Sequence, residues 1–214
     1  MSAHRRLALF GDEQELHANE QMNERLLRLI GKPRPQIGYV PEAAYPDRLS
    51  FDRKRDWYTQ MGADLAVYFD EDSPESELPS LLACHAIHLA GGNSFSFLYW
   101  LRKRGIVPIL RRYVCDGGVL VGVSAGSILM TPSVRSASLC GDPLDPRLED
   151  YNAIDLVDFH FWPHFDPRRM LNEEEEQTIA SLPKLYACAG GSGIIVEDKA
   201  VELFGTVHPY TPSL

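Results

Sequence analysis

The sequence predicts a doubly wound α/β domain, with a mostly parallel sheet covered by helices on both faces. Three observations lead there. Short β-rich apolar runs alternate with segments of helical periodicity, the connections between them are short, and no change of composition divides the 214 residues. A chain of this length with 44% hydrophobic residues suffices for one full α/β core, so residues 1–214 are expected to form one domain.

The expected buried strands are Leu7 to Phe10, Gln36 to Val40, Leu65 to Phe69, Ala86 to Leu89 and Gly118 to Gly122. Between them lie four helices. Ala18 to Ile30 carries Met22, Leu26, Leu29 and Ile30 at helical spacing and stops at Gly31, with Pro33 beyond. Phe51 to Met61 ends at Gly62 and Ser94 to Arg104 at Gly105, while Val107 to Cys115 tolerates Pro108 in its first turn. The segments GKPRPQ, PEAAYPDRLS and EDSPESELPS read as loops. Further on, a Pro- and Asp-rich loop precedes the apolar run Leu156 to Trp162. Asn172 then caps a helix whose first turn, Glu173 to Glu176, sets carboxylates against the macrodipole. Leu185 to Ala189, Ile194 to Val196 and Val201 to Phe204 read as strands, the last two as a hairpin around Glu197 to Lys199.

Composition narrows the partners. A formal net charge of -9 offers no general attraction to phosphate backbones or anionic lipid, so neither nucleic acid nor membrane is an expected partner. The amino-terminal apolar run is too short for a signal-peptide core, and no other run reaches the roughly 20 residues of a spanning helix, so a cytoplasmic location is expected. Cys84, Cys115, Cys140 and Cys188 lie far apart, suggesting buried reduced thiols and neither a zinc site nor a disulfide framework. No metal and no cofactor are expected.

The chemistry concentrates in GVLVGVSAGSILM, residues 118 to 130. Gly122, Ser124 and Gly126 form a G-x-S-x-G motif after an apolar strand and before a helix-compatible stretch. Small residues there permit the sharp turn of a nucleophile corner, which lifts the serine above the sheet. The Ala125 amide then points to where an oxyanion would form. A second cluster, Gly91, Gly92 and Asn93, closes a strand and opens a helix, so its amides can also approach an anionic intermediate.

A serine nucleophile needs a base. His4 and His17 lie near the amino end, His208 in a Pro-rich tail, and His85 and His88 flank a buried strand as structural groups. His160 and His164 remain, and Pro163 between them argues against a helical metal-binding pair. His164, just past a strand end, is the expected base, with His160 in reserve.

AGGNSFSFLYWLRKRG, GVLVGVSAGSILMTPSVR and PHF, in that order, resemble the peptidase E family of serine peptidases. That family includes aspartyl dipeptidases, with cyanophycinase as a relative, on a class I glutamine amidotransferase-like fold. The resemblance implies Ser124 as nucleophile, His164 as base, and Gly92 with Ala125 as oxyanion donors. It implies a small peptide as substrate, with Asp-X as a candidate, and hydrolysis through an acyl-enzyme by a monomer or homodimer. An Asp between the serine and the histidine is also expected, for which Asp142 is the first choice over Asp145. Arg135, Arg168 and Arg169 are the cations that could meet an Asp side chain. The late carboxylate turn of the dipeptidases corresponds to ACAGGSGIIV, which places Gly190 or Gly191 where a Glu is expected. That departure motivates one alternative, a peptidase-like binding protein with little turnover. A second, an amidotransferase-like partner domain, is disfavoured by serine in place of cysteine at the corner.

Overall fold

The computed structural model describes residues 5–12 and 19–210. His4, His17 and Ala18 lie outside them. A seven-stranded sheet has the order β3-β2-β4-β5-β1-β8-β9, formed by β1 (Arg6–Phe10), β2 (Gln36–Val40), β3 (Asp64–Tyr68), β4 (Ala86–Leu89), β5 (Val119–Val123), β8 (Gly193–Glu197) and β9 (Ala200–Phe204). The first five run parallel and end on one edge, where the corner and the glycine loop meet. The hairpin β8–β9 joins antiparallel beside β1, in the register of the turn expected around Glu197 to Lys199.

Alternation along the strands divides the core into two layers. In β1, Leu7 and Leu9 point into one cluster and Ala8 and Phe10 into the other, all nearly inaccessible to solvent. Helices α1 (Glu20–Ile30) and α2 (Leu49–Gln60) cover the second cluster through Met22, Leu26, Leu29 and Tyr58. Helices α4 (Ser94–Lys103), α5 (Ile106–Cys115) and α6 (Ala125–Leu129) cover the first through Phe95, Leu98, Leu110 and Ile128. Asn19 caps α1 by accepting from the Met22 amide, and Gly31 ends it in the left-handed conformation. Arg25 ties α1 to the hairpin through Glu197 (2.5 Å) and Glu202 (2.7 Å), which raises the guanidinium pKa and lowers that of Glu202.

Three features differ from expectation. EDSPESELPS is not wholly loop: it contains a 3-10 turn at Glu75–Glu77 and enters α3 (Leu78–Leu82), whose first turn accommodates Pro79. Of the run Leu156 to Trp162, only β6 (His160–Trp162) is strand, because the amides of Ile154 and Leu156 are taken by the carbonyls of Leu129 and Met130 at the exit of α6. The Pro-rich tail supplies β10 (Val207–Tyr210) to a second, three-stranded sheet of order β10-β7-β6, with β7 at Leu185–Cys188. Pro209 is tolerated there because β10 is an edge strand. Trp162, Phe165, Leu182, Leu185 and Ala187 form the core of this small sheet. Helix α7 (Glu173–Ala180) begins with the expected Asn172 cap, completed as a capping box by Glu175.

The thiols are all free, and their environments differ. Cys84 and Cys188 are buried, Cys140 is half-buried and Cys115 is exposed, so the expectation of uniform burial fails at the last two. Burial pushes Cys84 up to about 11 and Cys140 up to about 12. Among the described residues no cluster of three or more His, Cys, Asp or Glu is arranged to hold a metal, and no helix is long and apolar enough to cross a membrane.

Candidate active site

Ser124 stands between β5 and α6 with φ 50 and ψ -110, a strained conformation for a residue carrying a side chain. Its amide donates to the Phe10 carbonyl at 3.0 Å, and its carbonyl accepts from Ser127 and Ile128 at 2.9 and 3.1 Å. The flanking glycines are required by contact. A Cβ on Gly122 would lie 2.5 Å from the backbone of Gly126, and one on Gly126 would lie 2.2 Å from the Leu89 carbonyl oxygen. The Gly126 amide also donates to the Ala90 carbonyl at 3.0 Å, which stitches the corner to the glycine loop.

The Ser124 hydroxyl lies 2.8 Å from Nε2 of His164. His164 follows β6 by two residues, is exposed, and itself adopts a left-handed φ of 57. The Phe165 amide donates to the Cys188 carbonyl at 3.0 Å, and Phe165 packs edge-on to Trp162. The small sheet therefore carries the histidine to the serine.

The other expected residues divide. Gly91 sits against the serine, since its added Cβ would be 3.7 Å from that of Ser124. Gly92 has φ 136, and a Cβ there would strike the Glu42 side chain at 2.6 Å. Asn93 caps α4, its side chain accepting from Ser96 and donating to the Pro143 carbonyl, both at 2.8 Å. Ala125 is buried and provides the first amide of α6.

Asp142 is not brought to the imidazole. Its carboxylate accepts from the Ser94 amide at 2.8 Å and so serves the start of α4, and no hydrogen bond joins it to His164. Asp145 is held by Arg147 at 2.5 Å, which lowers it to about 2. His160 is buried, its Nδ1 has no partner, and burial lowers its pKa against a hydrogen bond with the Ser133 backbone. Arg135 lies over the Tyr151 ring in a hollow shared with Phe95 and Ser138, separate from the cleft of His164. Arg169 pairs with Glu175, and Arg168 lines the cleft of His164 but pairs with Asp166 at 3.0 Å. The structural reading of His85 and His88 agrees with their partners: His85 accepts from the Gln36 amide, and buried His88 meets the Tyr58 hydroxyl.

Two acidic groups near the site carry little signal in the sequence. Glu42 accepts from the Tyr45 hydroxyl at 2.7 Å, and partial burial raises its pKa above the usual carboxylate range despite that bond. Tyr45 is correspondingly pushed up to about 12. Asp12 follows β1 by two residues and shares the cleft of His164. Its only sequence signal is its place past the carboxyl end of a parallel strand, where sites gather in such sheets.

The profile of peptidase family S51 matches residues 7–204. The chain belongs to peptidase family S51. An uncharacterized peptidase of Pasteurella multocida is 29% identical over 134 residues, covering 60% of this S51 chain and 64% of that protein, less than two thirds of its length. Peptidase E of a Nostoc strain is 22% identical over 214 residues, covering 94% of the S51 chain and 83% of the relative. A solved structure of a candidate peptidase E protein from Listeria monocytogenes superposes with a TM-score of 0.73 at 18% identity, over 94% of this chain and 98% of that one. That likeness concerns the fold, and with the sheet order it agrees with the class I glutamine amidotransferase-like architecture expected for this S51 member.

Proposed function

We propose that the chain is a serine-type hydrolase of small peptides, acting as a dipeptidase or other exopeptidase through an acyl-enzyme. One observation carries the reading: a serine in a strained strand-to-helix corner with its hydroxyl 2.8 Å from a histidine ring nitrogen. In the proposed reaction, Nε2 of His164 takes the Ser124 proton as Oγ attacks the peptide carbonyl. The Gly92 and Ala125 amides hold the oxyanion. His164 then protonates the leaving amine, and a water activated by the same ring hydrolyses the ester. A monomer or homodimer working on free peptides in the cytoplasm fits this chemistry.

Preference for Asp-X has weaker support, because the three arginines considered for an Asp side chain are engaged with Tyr151, Asp166 and Glu175. A panel of Asp-X and other dipeptides, assayed with the wild type and Ser124→Ala, tests both points. Hydrolysis is expected to fall by at least about 10⁴-fold in the variant, and activity that survives the change sinks the nucleophile. The binding-protein reading draws on the open Nδ1 side of His164, which shows no hydrogen bond to a carboxylate among the described residues. Covalent labelling of Ser124 by a fluorophosphonate counts against it.

A further inference from the structure

A base that accepts a proton at Nε2 must carry its own proton at Nδ1, and an acceptor on that side holds the tautomer and the ring plane. The only hydrogen bond of His164 among the described residues is to Ser124. Two carboxylates, Asp12 and Asp166, share its open cleft of about 530 Å³. Asp166 is engaged by the Arg168 side chain at 3.0 and 3.2 Å. Asp12 has no cationic partner among the described residues, and its one hydrogen bond is a long one of 3.4 Å, accepted at Oδ1 from the Gly191 amide.

The backbone around Asp12 is fastened to both halves of the site. Two residues earlier, the Phe10 carbonyl accepts from the Ser124 amide and, at 2.9 Å, from the Ser127 hydroxyl. One residue earlier, the Gly11 amide donates to the Ser192 carbonyl at 2.9 Å, and the Ser192 amide donates to Ala189. That same turn begins at Cys188, whose carbonyl receives the Phe165 amide next to His164. Gly190 leaves the space open: a Cβ there would stand 3.1 Å from Oδ2 of Asp12. Strand β1 thus brings a carboxylate, unpaired with any cation among the described residues, into the cleft that His164 lines, at a point whose backbone is tied to both the serine corner and the turn next to the histidine.

We propose that Asp12, standing past the carboxyl end of β1 in the cleft of His164, is the positioning residue that accepts the Nδ1 proton of His164. The transferred proton passes from Ser124 to Nε2 and on to the leaving amine, and Asp12 fixes the tautomer that allows this. The proposal rests on the serine-peptidase reading for its consequence in rate, and on the shared cleft and the backbone ties around Asp12 for its placement.

Asp12→Asn and Asp12→Glu in the full chain test it by two readouts. The first is steady-state kinetics on the best dipeptide of the panel, with fluorophosphonate labelling of Ser124. Asp12→Asn is expected to lower kcat by about 10²- to 10⁴-fold with little change in KM, and Asp12→Glu to recover part of the loss. The second is the tautomer of His164 by ¹⁵N NMR, with the resonance assigned through His164→Gln. The Nδ1–H form should predominate in the wild type and lose that predominance in Asp12→Asn, an effect that general loss of stability does not produce. Unchanged kcat and an unchanged tautomer in Asp12→Asn overturn the proposal and leave the serine-peptidase reading intact. If wild-type Ser124 is neither labelled nor active, that reading falls, and the tautomer measurement still decides for or against Asp12.

Discussion

The serine corner and the histidine turn meet across 2.8 Å but are held by different means. The corner is locked by its backbone: amides and carbonyls of Phe10, Ala90, Ser124, Ser127 and Ile128 are paired, and its glycines leave no room for a methyl group. The histidine is exposed on a short turn, and its place depends on the packing of a three-stranded sheet outside the main one. The nucleophile is therefore built into the main core, while the base is presented to it by a neighbour with a smaller apolar cluster. Disturbing the first should cost folding, and disturbing the second should cost alignment first.

The largest effect that sharpens this contrast is the at least 10⁴-fold loss of hydrolysis in Ser124→Ala, which should leave the melting temperature nearly unchanged. Gly126→Ala is expected to destabilise the whole domain by more than about 3 kcal/mol, since the added Cβ meets a main-chain carbonyl that cannot step aside. Chemical denaturation measures it, and a folded variant of wild-type stability would break the account of the corner.

Trp162→Ala, at a position 1% exposed, should cost about 3–5 kcal/mol and release the turn of His164. Hydrogen exchange is then expected to rise in β6, β7 and β10 before it rises in β5. Simultaneous opening of both sheets would mean that they fold as one unit and that the contrast is false.

A smaller effect concerns Glu42 beside the glycine loop. Burial raises its pKa, so the stability associated with its neutral form is present at acid pH and is lost as the pH rises through that raised value. Glu42→Gln keeps an acceptor for Tyr45 without the charge. Its melting temperature relative to the wild type should climb as the pH rises from the ordinary glutamate value of about 4 through the raised one, and a flat difference would remove Glu42 from the account. The smallest effect, about 1 kcal/mol, is expected for Asn172→Ala, which removes a cap of α7 remote from the corner and should leave hydrolysis unaltered.

Much of the fold was legible because its cause is local. The five parallel strands are short apolar runs bounded by turn formers, and helices end on Gly31 and Gly105 or begin on Asn93 and, after the last of these strands, on Asn172. The segments misread are those decided by distant partners. The run Leu156 to Trp162 reads as one apolar segment, but the Leu156 amide finds the Met130 carbonyl at the end of α6 and only 160–162 is strand, and β10 exists only because β7 offers it an edge. The same distinction applies within the site. Ser124 was legible because G-x-S-x-G records the steric demands of its own turn, and His164 because a proline sets it beyond a strand end. Asp142 has the right chemistry and lies between them in sequence, yet a helix start captures its carboxylate.

By itself the sequence determined the order of elements, the tight corner and the two side chains able to exchange a proton across it, because each follows from residues within a few positions of one another. Tertiary structure alone decided that Asp12 joins His164 in the cleft. Asp12 and His164 are far apart in the chain, and they share one wall because β1 lies between β5 and β8. No local pattern records that adjacency, since it is a property of strand order.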